Sequence, residues 1–102
     1  MNFQNIMKQA QKLQEKMAKV QAELASKTVE ATSGGGMVTA VVNGKFELMA
    51  IRIEKDVVNP EDVEMLQDLV VSALREALEK ATELKTSKMS DLTGGMGIPG
   101  LF

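Results

Sequence analysis

The chain contains no cysteine, histidine, tryptophan or tyrosine. The missing cysteine excludes disulfides and thiolate chemistry, and the missing pair of residue types excludes Cys/His zinc sites. Three phenylalanines are the only aromatics, so large rigid anchors are scarce and aliphatic residues with eight methionines must fill the interior. No basic segment followed by an apolar one opens the sequence, and no apolar run approaches the roughly 18 residues of a membrane span. The chain therefore reads as soluble and cytoplasmic, with no membrane partner. No nucleophile–base pair and no metal constellation is evident, so neither enzyme activity, a cofactor nor a small-molecule substrate is expected. Asp56, Glu61 and Asp62 cluster in sequence, but helix capping accounts for two of them. Gly34-Gly35-Gly36 has no Lys-Ser/Thr after it and leads into a strand pattern, which suits a hairpin loop and not a phosphate loop.

What is present fits one domain: 102 residues, 44% of them hydrophobic. A monomer of this size buries a modest fraction of its surface, and oligomerisation would relieve that. Three extended runs lie between Lys27 and Glu54: residues 28–33, 37–43 and 45–54. Glycines 34–36 separate the first two, and Asn43-Gly44 the last two. Asn-Gly between β-prone runs is a strong hairpin signal, because a type I′ turn needs φ > 0 at both central residues. The pattern predicts a three-stranded antiparallel meander.

A two-residue loop would set Val42 opposite Lys45, Ala40 opposite Glu47 and Val38 opposite Met49. One face would then carry Val38, Ala40, Val42, Met49, Ile51 and Ile53. The other would carry Met37, Thr39, Val41, Phe46, Leu48, Ala50 and Arg52. Both are largely apolar, whereas a half-solvated sheet alternates apolar and polar residues. One face suits the chain's own helices and the other a second subunit, with Val41, Phe46 and Leu48 nearest the two-fold. The alternative is a sheet sandwiched between two helices of a single chain.

Residues 3–26 read as a helix. Phe3, Ile6, Ala10, Leu13, Met17, Val20 and Leu24 alternate three and four apart, a narrow a/d seam. Glycine and proline are absent and good helix formers dominate; Asn2 or Asn5 can cap the start. Lys8, Lys12, Lys16 and Lys19 fall on one stripe roughly opposite that seam. A second helix is expected from Asn59 as N-cap, with Pro60 at the first helical position, to about Lys85. Its broad apolar face, including Leu66, Leu69, Ala73, Ala77 and Ala81, marks it as the main core helix.

The net charge of −2 argues, on average, against a nucleic-acid binder. The average hides a segregation. Residues 1–27 hold five lysines against Glu15 and Glu23, whereas residues 59–86 hold seven acids against three bases. A lysine stripe can be an ordinary solvated face, but a cationic helix without matching acids is less usual. Four glycines and a proline in residues 93–102 set the domain at 1–86 and a flexible tail at 87–102. That tail is either disordered or adhesive, docking through Met96, Ile98, Leu101 and Phe102.

In order along the chain stand Met7-Lys-Gln-Ala-Gln-Lys-Leu-Gln-Glu-Lys-Met17, Gly35-Gly-Met-Val38, Val42-Asn-Gly44, Pro60-Glu-Asp-Val-Glu-Met-Leu-Gln-Asp-Leu69 and the Gly/Pro/Met tail. Together they resemble the YbaB/EbfC family of bacterial nucleoid-associated DNA-binding proteins, over nearly the whole length. The resemblance implies an α+β fold ordered α-β-β-β-α, its meander flanked by two long helices, dimeric through the central sheet. It also implies homodimers whose helices project like tweezer arms, binding of double-stranded DNA through helical segments, and a place at the nucleoid. The lysines in or beside the matching segment are Lys8, Lys12, Lys16 and Lys19. The other reading is a non-catalytic dimeric scaffold whose amphipathic helices bind another protein.

Overall fold

The structure, a computed structural model, describes residues 2–93. Helix α1 spans Phe3–Ser26, strands β1 Thr28–Ser33, β2 Val38–Asn43 and β3 Leu48–Ile53 follow, and helix α2 spans Val63–Thr93. The sheet is antiparallel in the order β1-β2-β3. This is the α-β-β-β-α arrangement that the sequence predicts.

Asn2 caps α1, its side chain accepting from the Gln4 amide at 3.1 Å. Helix α2 starts later than Asn59. There Asn59 closes a turn instead, accepting the Glu61 amide on its side chain and the Asp62 amide on its carbonyl. Asp62 accepts from Met65 N at 3.2 Å and is the residue that opens the helix. Two strong capping residues stand three apart, and the proline between them fits the turn as well as a first helical turn. At the far end α2 continues past Lys85 to Thr93, through residues 87–93 of the expected tail. The rest of that tail, with Met96, Ile98, Leu101 and Phe102, lies outside the described residues.

Helix α2 lies on β1 and β2. Its Ala73, Ala77 and Ala81 recur every four residues and meet Ala31, Val38, Ala40 and Val42, all buried. Small side chains bring the helix close to the sheet. A helix about 10 Å across covers about two strands spaced 4.8 Å apart, so the third strand is left beyond its edge. Ser33 Oγ donates to the Leu69 carbonyl at 2.6 Å and Lys80 Nζ to the Glu30 carbonyl at 2.8 Å, tying β1 to the helix. In the β1–β2 turn Gly34 has φ +61, and a Cβ there would stand 2.9 Å from a Leu69 methyl.

The β2–β3 register differs from the two-residue hairpin. Val38 pairs with Ile53, Ala40 with Ile51 and Val42 with Leu48, with an irregularity at Val41/Val42. The loop is Gly44-Lys45-Phe46: Phe46 N donates to Asn43 O, and Asn43 N to Glu47 O. Phe46, not the glycine, takes the left-handed conformation, at φ 65. This is the three-residue solution, a turn followed by a left-handed residue.

A shift of four keeps Val38, Ala40, Ile51 and Ile53 on one face, as expected. The irregular step brings Leu48 to the side of Val42, whereas the two-residue loop set it with Val41. The outer face is then Thr28, Glu30, Thr32, Thr39, Val41, Ala50 and Arg52. It is mostly polar and is crossed by an exposed Arg52–Glu30 ion pair at 3.2 Å. The expectation of two apolar faces does not hold. The uncovered apolar surface belongs to β3, where Leu48 is 53%, Met49 56% and Ile53 40% exposed.

Candidate nucleic-acid interface

The junction of α1 with the β2–β3 loop aims the arm. Gly44 N donates to the Leu24 carbonyl at 2.8 Å and to the Lys27 carbonyl at 3.1 Å. These are carbonyls that a helix end leaves without an intrahelical partner. Asn43 is buried, and its amide nitrogen donates to Ala25 O and Glu47 Oε1. Its side-chain oxygen accepts from Lys45 N and Glu47 N, both at 3.0 Å. The buried amide is thus fully satisfied, and it fixes the end of α1 against the sheet.

From that anchor the two helices run antiparallel. Lys85 of α2 lies over the Phe46 ring at 5.4 Å, and Lys88 pairs with Glu23 at 3.4 Å. Farther along, Asp91 and Leu92 face Leu13, Lys12 and Lys16 across a groove. Every residue from Asn2 to Lys16 is exposed, including Phe3, Ile6, Met7 and Leu13. The first half of α1 is therefore an arm, and the molecule measures 70 × 24 × 16 Å.

Lys8, Lys12, Lys16 and Lys19 are all exposed on this arm. They do not all lie opposite the seam: Lys12 and Lys16 rim the α1/α2 groove, and Lys16 and Lys19 border a crevice with Glu23, Lys88 and Asp91. Sequence periodicity gives the stripe, but not which flank of the seam α2 takes. Nor does it set Lys88, which the sequence offers only as a second place for the contact along with Arg75, Lys80 and Lys85, beside the stripe. The Lys88 side chain covers Glu23, the one acid standing between Lys19 and Lys27. The neighbouring Lys88 lowers the Lys27 ammonium below its usual range. Its contacts with Lys27 and with the Glu23 carboxylate raise Lys88.

The acidic part of α2 is distant from the arm. Asp68, Glu76 and Glu79 line the outer side of the helix, near the Ser33 end of the sheet. From Asp68 to Asp91 is about 35 Å, and from Glu79 to Asp91 about 18 Å, at 1.5 Å per residue. Screening acts over about 8–10 Å at physiological salt, so those carboxylates do not cancel the field of the arm.

Of the residues expected at a dimer contact, Phe46 is partly exposed at the loop tip, Leu48 is exposed on the α2 side of β3, and Val41 is half-buried on the outer face. They do not form one surface. No helix among the described residues is long and apolar enough to cross a membrane.

The fold has a solved counterpart. An uncharacterized protein of Helicobacter pylori superposes with a TM-score of 0.80 at 23% identity, covering 90% of this chain and 97% of its own. Curated relatives are closer in sequence. A nucleoid-associated protein of Thermoanaerobacter pseudethanolicus is 55% identical over 99% of this chain and 91% of its own length. Another, from Clostridium novyi, is 54% identical over 100% of this chain and 90% of its own. The profile of the YbaB/EbfC DNA-binding family matches residues 1–96. An exposed cationic arm on this fold, with relatives of those names and a match across nearly every residue, makes the chain a member of the YbaB/EbfC DNA-binding family.

Proposed function

We propose that the protein binds duplex DNA as a homodimer at the bacterial nucleoid, in the cytoplasm, with the α1 arms carrying the contact. The observation that supports this most is the lysine stripe Lys8, Lys12, Lys16 and Lys19, exposed on an arm that extends away from the acidic half of α2. The 24 residues of α1 are about 36 Å long, close to one turn of B-DNA. Two arms of a dimer suit the flanks of a duplex. Lysines on an exposed helix neutralise phosphates without fixing geometry toward base edges, so the preference of this stripe for sequence is small.

The dimer contact runs through β3. It is an edge strand with Leu48, Met49 and Ile53 exposed, and an uncovered apolar edge is a template for pairing with another strand. Phe46 flanks this strand and joins the contact, whereas Val41 stands on the polar outer face and is left out. A gel shift on random and genomic duplexes, at low and at physiological salt, tests the proposal. Binding of both duplex types that weakens as salt rises supports it, and no shift even at low salt contradicts it.

A further inference from the structure

Asn43 is the one asparagine of the chain that glycine follows. Asn2 and Asn5 precede the bulky Phe3 and Ile6, and Asn59 precedes Pro60, whose nitrogen bears no hydrogen. Asparagine before glycine is the pair most prone to deamidate itself, because no Cβ shields the glycine nitrogen from the side chain before it. The Gly44 nitrogen attacks Asn43 Cγ and forms a C–N bond. Its proton leaves with the side-chain nitrogen as ammonia, and a cyclic imide remains. Water then opens the ring to aspartate or isoaspartate. We infer that Asn43-Gly44 is a guarded modification site, silent while the end of α1 sits on the β2–β3 loop and deamidated when that contact opens.

The fold withholds both reacting groups. The Gly44 N–H is shared between the Leu24 and Lys27 carbonyls, at 2.8 and 3.1 Å, so losing its proton would leave an anion against two carbonyl oxygens. The Asn43 side chain is buried and held at both ends, by Lys45 N and Glu47 N on Oδ1 and by Ala25 O and Glu47 Oε1 on Nδ2. Turning Cγ toward Gly44 N breaks those bonds inside the protein, where each lost partner is costly. Leu24, itself buried, closes the site from the helix side. Once made, the change does not reverse when the loop closes. An aspartate has no amide hydrogens for Ala25 O, and its carboxylate would stand beside that of Glu47, now 2.9 Å from Asn43 Nδ2. Two like charges in a buried place oppose closure. A chain that has opened therefore keeps a record of it, and α1 loses its anchor.

The test uses the full chain. Deamidation at Asn43 is followed by mass spectrometry in native buffer and in urea, and protection of the Gly44 amide against hydrogen exchange by NMR. One opening frees that amide for both reactions. Native deamidation should therefore be slower than in urea by about the factor that protects the amide, at least about tenfold. Leu24→Ala leaves the loop sequence unchanged and should speed deamidation and Gly44 exchange together. If that variant does not fold, its deamidation should match the rate in urea. Equal rates for the wild type in native buffer and in urea overturn the inference. So does a Leu24→Ala chain, folded or unfolded, whose Gly44 exchange rises while Asn43 stays intact. Asn43→Asp reads the lasting effect: faster exchange at residues 24–27 supports it, and wild-type exchange there overturns it.

Discussion

The amide of Gly44 donates to the carbonyl of Leu24, 2.8 Å away, so the β2–β3 loop closes the last turn of α1. A Cβ on Gly44 would stand 2.7 Å from that same oxygen and 2.8 Å from a Leu24 methyl. Backbone on one side and a buried side chain on the other cannot both yield. Gly44→Ala is therefore expected to cost about 1–3 kcal/mol, the overpacking range, read as a lower denaturation midpoint. Amides at the C-terminal end of α1 should lose protection first.

Asn43→Ala removes a buried amide with four partners. It leaves the amides of Lys45 and Glu47 and the Ala25 carbonyl short of a bond, which costs about 1–3 kcal/mol for each group kept from water. Chemical denaturation should show a loss at least as large as that of Gly44→Ala. A change below about 0.5 kcal/mol would mean that the loop is held by packing alone.

The proposed dimer contact separates two substitutions that neighbour each other in sequence. Ile53 is exposed on the apolar side of β3 and Arg52 on the polar outer face. Ile53→Lys should leave the monomer folded and shift light scattering at micromolar concentration toward the monomer mass. Arg52→Ala breaks a surface ion pair worth at most about 1 kcal/mol, and should leave assembly unchanged. The reverse result would move the contact to the outer face.

Much of this was legible because it depends on local pattern. The seam from Phe3 to Leu24, free of glycine and proline, gave α1 the bounds it has in the structure. Alternation gave β1 and β2, and the alanine series 73, 77 and 81 gave the core face of α2. The register failed because Asn43 and Gly44 are engaged with the end of α1, a partner 17 to 20 residues away. The residues that signal a type I′ turn are used here for a buried amide and a missing Cβ. The left-handed position passes to Phe46, which no propensity favours. The lysine stripe was visible by period alone. Its relation to Lys88 and Asp91 was not, since that depends on which flank of the seam α2 meets.

Lys88 also sets the titration of its neighbour. Lys88, close by and of like charge, lowers the Lys27 ammonium. In Lys88→Met that effect vanishes, so Lys27 should titrate at higher pH than in the wild type, as followed by NMR of the side-chain ammonium groups. Glu23, uncovered by the same change, should weaken DNA binding, and Glu23→Gln in that background should restore most of it.

The central claim is tested most directly by the salt dependence of DNA affinity. Four exposed lysines per arm give at most about eight phosphate contacts per dimer, of which geometry allows roughly half. The slope of log affinity against log salt should then be about −3 to −4, from about −0.9 per contact. Lys12→Gln with Lys16→Gln removes two of the four without placing a carboxylate beside Asp91. The account predicts a slope near −2 for that variant, an unchanged circular dichroism spectrum, and loss of binding at physiological salt. A variant that binds as the wild type does, with the same slope, would contradict it and leave the stripe an ordinary solvated face.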